Sequence, residues 1–389
     1  MYRIKSPFVV LLVLSLVLVT FPQIGIVDAE PRTIVVPDDY PTIVTAVGNA
    51  SEGDTIFVKN GIYSETIEIN IPISLKGEDR ENTIIEGFRL DYGQPPPVIN
   101  IKAPNVTISG FTLTGSGNAG IKIDIRAYTD KGGCKITGNN IINNGLAIRT
   151  WDINHCIISN NTIKENGEHG IYFAGSDSMI SNNNLLGKTN ILGTGIKVDF
   201  SHNLTITKNQ ISGYEEGISL RYIEQNEPIY VYENNVTNHN GYGIVLWEEC
   251  NNSVIFKNNI ANNGVGIYLK DVRLSENVGM YNQVFNNNIV DNDLQVLVDP
   301  ISDIVSWDNG TQGNYWSDYE DRYPQAIEMD DAGIWKTPYV IDENNQDNYP
   351  LMQPVIIPEF PSLALFFVIF VAIIGVTIIY KRNLQKRGR

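Results

Sequence analysis

Asp199 and Arg221 lie 22 residues apart, and Lys197 stands two places before Asp199. A carboxylate beside an ammonium and a guanidinium is the set that proton abstraction next to a sugar carboxylate requires: a base, and a cation that neutralises the substrate. The same part of the chain carries Trp151, Tyr172, Trp247 and Tyr268, with Arg149 two places before Trp151. Flat aromatic faces stack on sugar rings, and arginine beside them binds hydroxyls or carboxylates. Lys197, Asp199 and Arg221 are therefore the candidate catalytic residues. Arg149, Trp151, Tyr172, Trp247 and Tyr268 are the candidate carbohydrate contacts. Glycoside hydrolysis would need a second carboxylate within ~5–10 Å. His169 reads as a corner residue.

The acidic run Asp342–Asp347 offers oxygen ligands, and Asp342, Asn344 and Asp347 are candidates for calcium. It lacks the glycine and closing glutamate of an EF-hand loop, so a solvated acidic turn is the alternative. No cofactor is required by the sequence; calcium is the one that fits. The chain carries 44 acidic against 28 basic residues, a net charge of −16. Several of the basic residues sit at the two ends, so the middle is more acidic still. Such a surface repels phosphate backbones, which excludes nucleic acid as an expected partner.

The elements that must position these residues come from a repeat. An apolar–x–x–Asn–x–apolar core recurs with its asparagine at 139, 161, 183, 209, 234, 258 and 287, and Phe111 holds that place in an earlier copy. A Gly-Ile pair follows in most copies, at 120, 170, 195, 217, 243 and 266, and alternating apolar residues come after it. Period two means strands with one buried face, and the buried residues are largely β-branched. Stacked asparagines would form a hydrogen-bonded ladder. The leucine-rich repeat has a similar length, but it wants a Leu-x-x-Leu-x-Leu rhythm that this chain lacks. The predicted fold is all-β, a right-handed single-stranded parallel β-helix of about eight to ten coils. A short amphipathic helix within Pro41–Ala50 would cap it.

The register predicts two outward columns on the strands after Gly-Ile. One is Lys122, Arg149, Tyr172, Lys197, Ser219, Val245 and Tyr268. The other is Asp124, Trp151, Ala174, Asp199, Arg221, Trp247 and Lys270. It also stacks Cys134 over Cys156, one coil apart, as a disulfide or as a pair of free thiols. Seven Asn-x-Ser/Thr sites, at Asn49, Asn105, Asn160, Asn203, Asn235, Asn251 and Asn309, suit a glycosylated exterior.

Arg3 and Lys5 precede an apolar run from Phe8 to Phe21, which reads as a secretory signal over 1–29. The β-helix occupies 30–305 and a closing segment 306–357. Residues 358–389 hold an uncharged run, Leu363 to Tyr380, and a basic tail, read as a transmembrane helix with its tail in the cytoplasm. The expected location is secreted and membrane-anchored, with the bulk outside.

The opening Thr33–Ile43, Gly53–Val58 and Gly61–Tyr63 resembles the start of pectin-lyase-like β-helix proteins. The Asn-Asn-x-Ile and Gly-Ile coils resemble the NosD-like, CASH repeat. Gly313–Tyr319, Thr337–Tyr339 and Tyr349–Leu351 are similar to the closing segment of archaeal members, and Pro358–Ser362 resembles a PEF-type sorting signal. The resemblance implies the fold and a cell-surface location, and a carbohydrate or copper role. Copper needs imidazole or soft ligands, and His155, His169, His202 and His239 contain no close pair. No Asn-Thr-Asp or Arg-Ile-Lys run of the polygalacturonase type is present, and the Asp-Gly-Ile-Gly-Asp of relatives is here Asp331–Lys336. Three functions remain: a surface protein binding polysaccharide; a polysaccharide lyase, hydrolase or epimerase on the same groove; or a purely structural envelope protein.

Overall fold

The computed structural model describes residues 30–357, apart from 89–94, 126–131, 189–191, 224–226, 271, 273–281 and 301–304. The expected signal segment at 1–29 and the sorting signal, membrane helix and tail at 358–389 lie outside the described residues. Among the described residues, no helix is long and apolar enough to cross a membrane.

The chain winds as a right-handed parallel β-helix. Three parallel sheets of twelve, eleven and ten strands form its walls among the described residues. We call them sheets A, B and C, in the order in which each coil visits them. One coil shows the plan: Lys135–Thr137 in sheet A, Asn140–Ile142 in sheet B and Leu146–Thr150 in sheet C. The ten strands of sheet C match the predicted coil number. Inward positions stack like on like, as in the column Ile108, Ile136, Ile158, Ile180, Ile206, Val231, Ile255 and Val284, all fully buried. Each buried isoleucine or valine contributes roughly 1.5–3 kcal/mol of transfer free energy.

The A–B corner is built from two residues. The first adopts a left-handed backbone, with φ near +55° at Asn160, Asn182, Lys208, Glu233, Lys257 and Asn286. The second is the repeat asparagine, turned inward. Its backbone N–H and its Nδ2 both donate to the Oδ1 of the asparagine in the next coil, from Asn139 through Asn161, Asn183, Asn209, Asn234, Asn258 and Asn287 to Asn314, at 2.9–3.2 Å. This is the predicted ladder, extended by one member into the closing segment. Five residues on, the B–C corner carries a second ladder that mixes side chains. Asn144 donates to Asn166, and Tyr214, His239, Asn263 and Asn292 follow in the same way.

The cap helix α1 (Ile43–Gly48) forms as expected, with Thr42 at its N-cap. The Glu65 carboxylate accepts from the free N–H groups of Ile43 and Val44, placing an anion at the helix N-terminus. At the other end, Trp316 lies in the last sheet B strand, paired with Ile289, and Trp307, Tyr319 and Tyr339 bury their rings beside it.

Cys134 and Cys156 do stack in adjacent coils, and both are free thiols in this structure. The Cys134 thiol turns into the preceding coil, towards the Ala103 carbonyl. Burial pushes it up to about 11, Cys156 well above its ordinary range, and Cys250 up to about 12. Thiols so placed are poor nucleophiles. Intact mass should therefore be the same with and without reductant, and iodoacetamide should label the thiols only after unfolding. A mass lower by two hydrogens under non-reducing conditions would refute this. Of the seven glycosylation sequons, Asn251 is buried, whereas Asn49, Asn105, Asn160, Asn203 and Asn309 are exposed.

Candidate functional site

The outer face of sheet C is the candidate site, and its strand pairing matches the predicted columns. Lys122 pairs with Arg149, Arg149 with Tyr172, Tyr172 with Lys197, Lys197 with Ser219, Ser219 with Val245, and Val245 with Tyr268. In the second column Asp199 pairs with Arg221, Arg221 with Trp247, and Trp247 with Lys270.

Stacking at the coil spacing of ~4.8 Å brings cations over rings. Tyr172 has the Arg149 guanidinium 5.8 Å from its centroid and the Lys197 ammonium at 5.9 Å. Trp247 has Arg221 at 5.4 Å and Lys270 at 3.8 Å. The expected flat sugar platform is thus a row in which rings and cations alternate. Tyr268 departs from the outward expectation. Its ring packs against Tyr242 at 4.8 Å, its hydroxyl donates to Asp299, and it is only 8% exposed. Ser219 and Val245, between the two cation–ring groups, are buried as well.

The structure brings Lys197, Asp199 and Arg221 together, but it gives Asp199 a holding role. Its two oxygens accept from Arg221 Nε at 3.2 Å and Nη2 at 3.1 Å, and Oδ2 also accepts from the Tyr172 hydroxyl at 2.9 Å. It is 1% exposed. A carboxylate so engaged fixes Tyr172 and Arg221 in place. Burial and the adjacent Asp199 push the Tyr172 hydroxyl up to about 12. His169, a residue the sequence pattern left at a corner, lies beside Tyr172 with its Nδ1 accepting from Thr194 N–H. Burial, helped by Lys197, brings it down to about 4, so at neutral pH it is an uncharged imidazole with its proton on Nε2.

The calcium candidates separate. Asp342 accepts from the N–H groups of Asn344 and Asn345 and so caps its own turn. Asp347 is fully buried and accepts from Asn314 N, Trp316 Nε1 and Tyr349 N. Among the described residues, no three His, Cys, Asp or Glu side chains are grouped to hold a metal ion.

Two aromatics, the exposed Phe200 and the half-buried Tyr222, were missed by the sequence pattern. Phe200 and Tyr222 directly follow Asp199 and Arg221, at the turn from sheet C to sheet A, with φ of 50° and 52°. Their rings stack at 4.9 Å. This corner favours asparagine, aspartate or glycine, so nothing in a polar-corner pattern marks an aromatic there.

Fold and face together define a parallel β-helix with a cation-rich, aromatic outer sheet. A family model described as "Periplasmic copper-binding protein (NosD)" matches residues 47–321, and the chain belongs to that family. A cell surface glycoprotein of Methanothermus fervidus is 26% identical over 349 aligned positions, covering 78% of this chain and 56% of the relative. The chain thus spans about half the length of that curated relative. Among solved structures, XylC in complex with xylose superposes with a TM-score of 0.52 at 13% identity, covering 69% of each chain. An alginate lyase from a Paenibacillus strain gives a TM-score of 0.47 at 14% identity, over 71% of this chain and 98% of that one.

The family description names copper, whose sites use imidazole, thiolate or thioether ligands. Here the ring nitrogens of His239 face the Tyr214 and Ile211 carbonyls, His202 Nδ1 meets Ser176, His169 Nδ1 meets Thr194, and all three thiols are buried. Among the described residues, no three His, Cys, Asp or Glu side chains are grouped for a copper ion.

Proposed function

We propose that this protein is a cell-surface β-helix that binds an acidic polysaccharide along the outer face of sheet C. The observation that carries this reading is the repeated cation–ring–cation row: Arg149, Tyr172 and Lys197, then Arg221, Trp247 and Lys270. On a chain of net charge −16, such a row is a local exception. It offers charge to carboxylates and ring edges to pyranose carbons, one coil at a time. The name of the Methanothermus relative supports a surface location. A lyase or epimerase reading would require a free base, and Asp199 has both oxygens engaged; binding is therefore the reading we favour over catalysis.

The test is titration of the full chain with polygalacturonate and, in parallel, with neutral dextran. Polygalacturonate should bind, and added salt should weaken it as exposed charges are screened. Arg149→Ala should cost about tenfold in affinity, equivalent to ~1.4 kcal/mol, and Lys197→Ala somewhat less. Equal binding of dextran, or indifference to both substitutions, would sink the reading. Failure to bind either polymer would leave the structural envelope role.

A further inference from the structure

A notch of about 370 Å³ opens where sheet C turns into sheet A. Its walls are Trp151 on one coil and Phe200 two coils later, with ring centroids 6.5 Å apart and planes at 59°. Its floor is the intervening coil, Ala174, Gly175 and Ser176. Only glycine fits at 175, because a Cβ there would run into the carbonyl oxygen of Ile153 in the preceding coil. At the floor the Ser176 hydroxyl and His202 Nδ1 are 3.0 Å apart.

Phe200 makes this notch hard to explain by folding alone. A bulky L-residue at φ 50° is strained. Burial would offset that strain, yet Phe200 is 52% exposed. One of its faces rests on Tyr222, which holds the ring upright. Trp151 is braced in the same way by Tyr172, at 6.3 Å with planes 2° apart. Two braced, exposed rings, tilted against each other at 59°, therefore form a V beside hydroxyl, imidazole and the carboxylate of Asp152.

We propose that this notch is a subsite for one uncharged pyranose ring, seated in the mouth of the V that Trp151 and Phe200 form, with Ser176 and His202 meeting its hydroxyls. The charge class follows from the lining, which contains no lysine or arginine and one acid, Asp152, that disfavours a uronate, in contrast to the cation row beside it. The proposal rests on the glycan-binding reading of sheet C in that the two sites share Trp151 as a boundary; the notch would take a neutral unit or branch of the same polymer.

The test is saturation-transfer NMR on the full chain, with methyl β-glucopyranoside and N-acetylglucosamine as neutral probes and galacturonate as the charged comparator. At least one neutral probe should show transfer exceeding that of galacturonate. Phe200→Asn should reduce it at least fivefold, while the thermal midpoint holds or rises, because asparagine accepts a left-handed backbone with less strain. Arg149→Ala should leave the neutral-probe signal in place. If Phe200→Asn lowers the midpoint and leaves transfer unchanged, the ring is structural and the notch is no subsite. If no neutral probe shows transfer while polygalacturonate still depends on Arg149, the notch falls and the sheet C reading stands. If a neutral probe binds through Phe200 and polygalacturonate does not bind, the notch stands without it.

Discussion

Asn209→Ala should lower the unfolding free energy by about 4 kcal/mol, as the sum of buried groups left without partners at roughly 1–3 kcal/mol each. Asn209 is completely buried. Its Oδ1 accepts from both the backbone N–H and the Nδ2 of Asn183. Its own Nδ2 donates to the carbonyls of Ile180 and Thr207 and to Asn234 Oδ1. Alanine would remove the acceptor for Asn183 and the donor for Ile180 in a place that water cannot enter. Each coil touches mainly its two neighbours, so the loss should be local first: hydrogen exchange should accelerate around Asn183 and Asn234 before the ends of the solenoid respond. Asn240→Ala is the control. Asn240 is exposed on a loop, and its loss should stay within ~0.5 kcal/mol. Urea titrations followed by circular dichroism would measure both. If Asn209→Ala costs no more than the control, the ladder is ornament and not scaffold.

Those asparagines were also the most legible part of the sequence. Their spacing tracks the coil length because each must meet its neighbour across one strand spacing, and a slip by one residue would turn every isoleucine outward. The same register placed Lys197, Asp199, Arg221 and Trp247 correctly on sheet C. Period two, however, says which way a side chain leaves the backbone and nothing about what covers it afterwards. Tyr268 leaves outward and is then closed over by Tyr242 and Asp299. Asp199 leaves outward and is captured by Arg221 and Tyr172. The corner aromatics Phe200 and Tyr222 were illegible for a different reason. Their left-handed backbone is imposed by the stack of coils, against the preference of the residues themselves. The second ladder was hidden because Tyr214 and His239 interrupt its asparagines while keeping the same hydrogen-bond direction.

The asparagine ladder ends on a buried carboxyl group, and this gives the C-terminal cap an expected pH response. From Asn161 to Asn287 each Nδ2 donates to the C-terminal neighbour, so these amide dipoles align with their positive ends facing the cap. The last rung, Asn314, donates its backbone N–H to the Asp347 carboxylate at 2.7 Å, and Trp316 Nε1 and the N–H of Tyr349 donate to it as well. Burial, with Asp308 nearby, opposes these donors and pushes Asp347 up to about 7. The unfolded carboxyl titrates near ~3.9. Between those two values the folded cap retains a proton that the unfolded chain has released, so stability is highest at the acidic end of the window and falls as pH rises through 7. At full extent the shift corresponds to roughly 4 kcal/mol, at ~1.4 kcal/mol per unit. Repulsion among the chain's many acids would give a slope of the same sign, so the comparison must be with Asp347→Asn, which keeps those acids and removes only this titration. At about pH 5 the variant should be the less stable protein, since its Nδ2 confronts a backbone N–H where the wild-type oxygen accepts one. By about pH 8.5 the gap should close or reverse, because only the wild type then carries a buried charge. A gap that widens with pH would mean that the three donors and the aligned amides outweigh burial, and that Asp347 is an ionised anchor throughout.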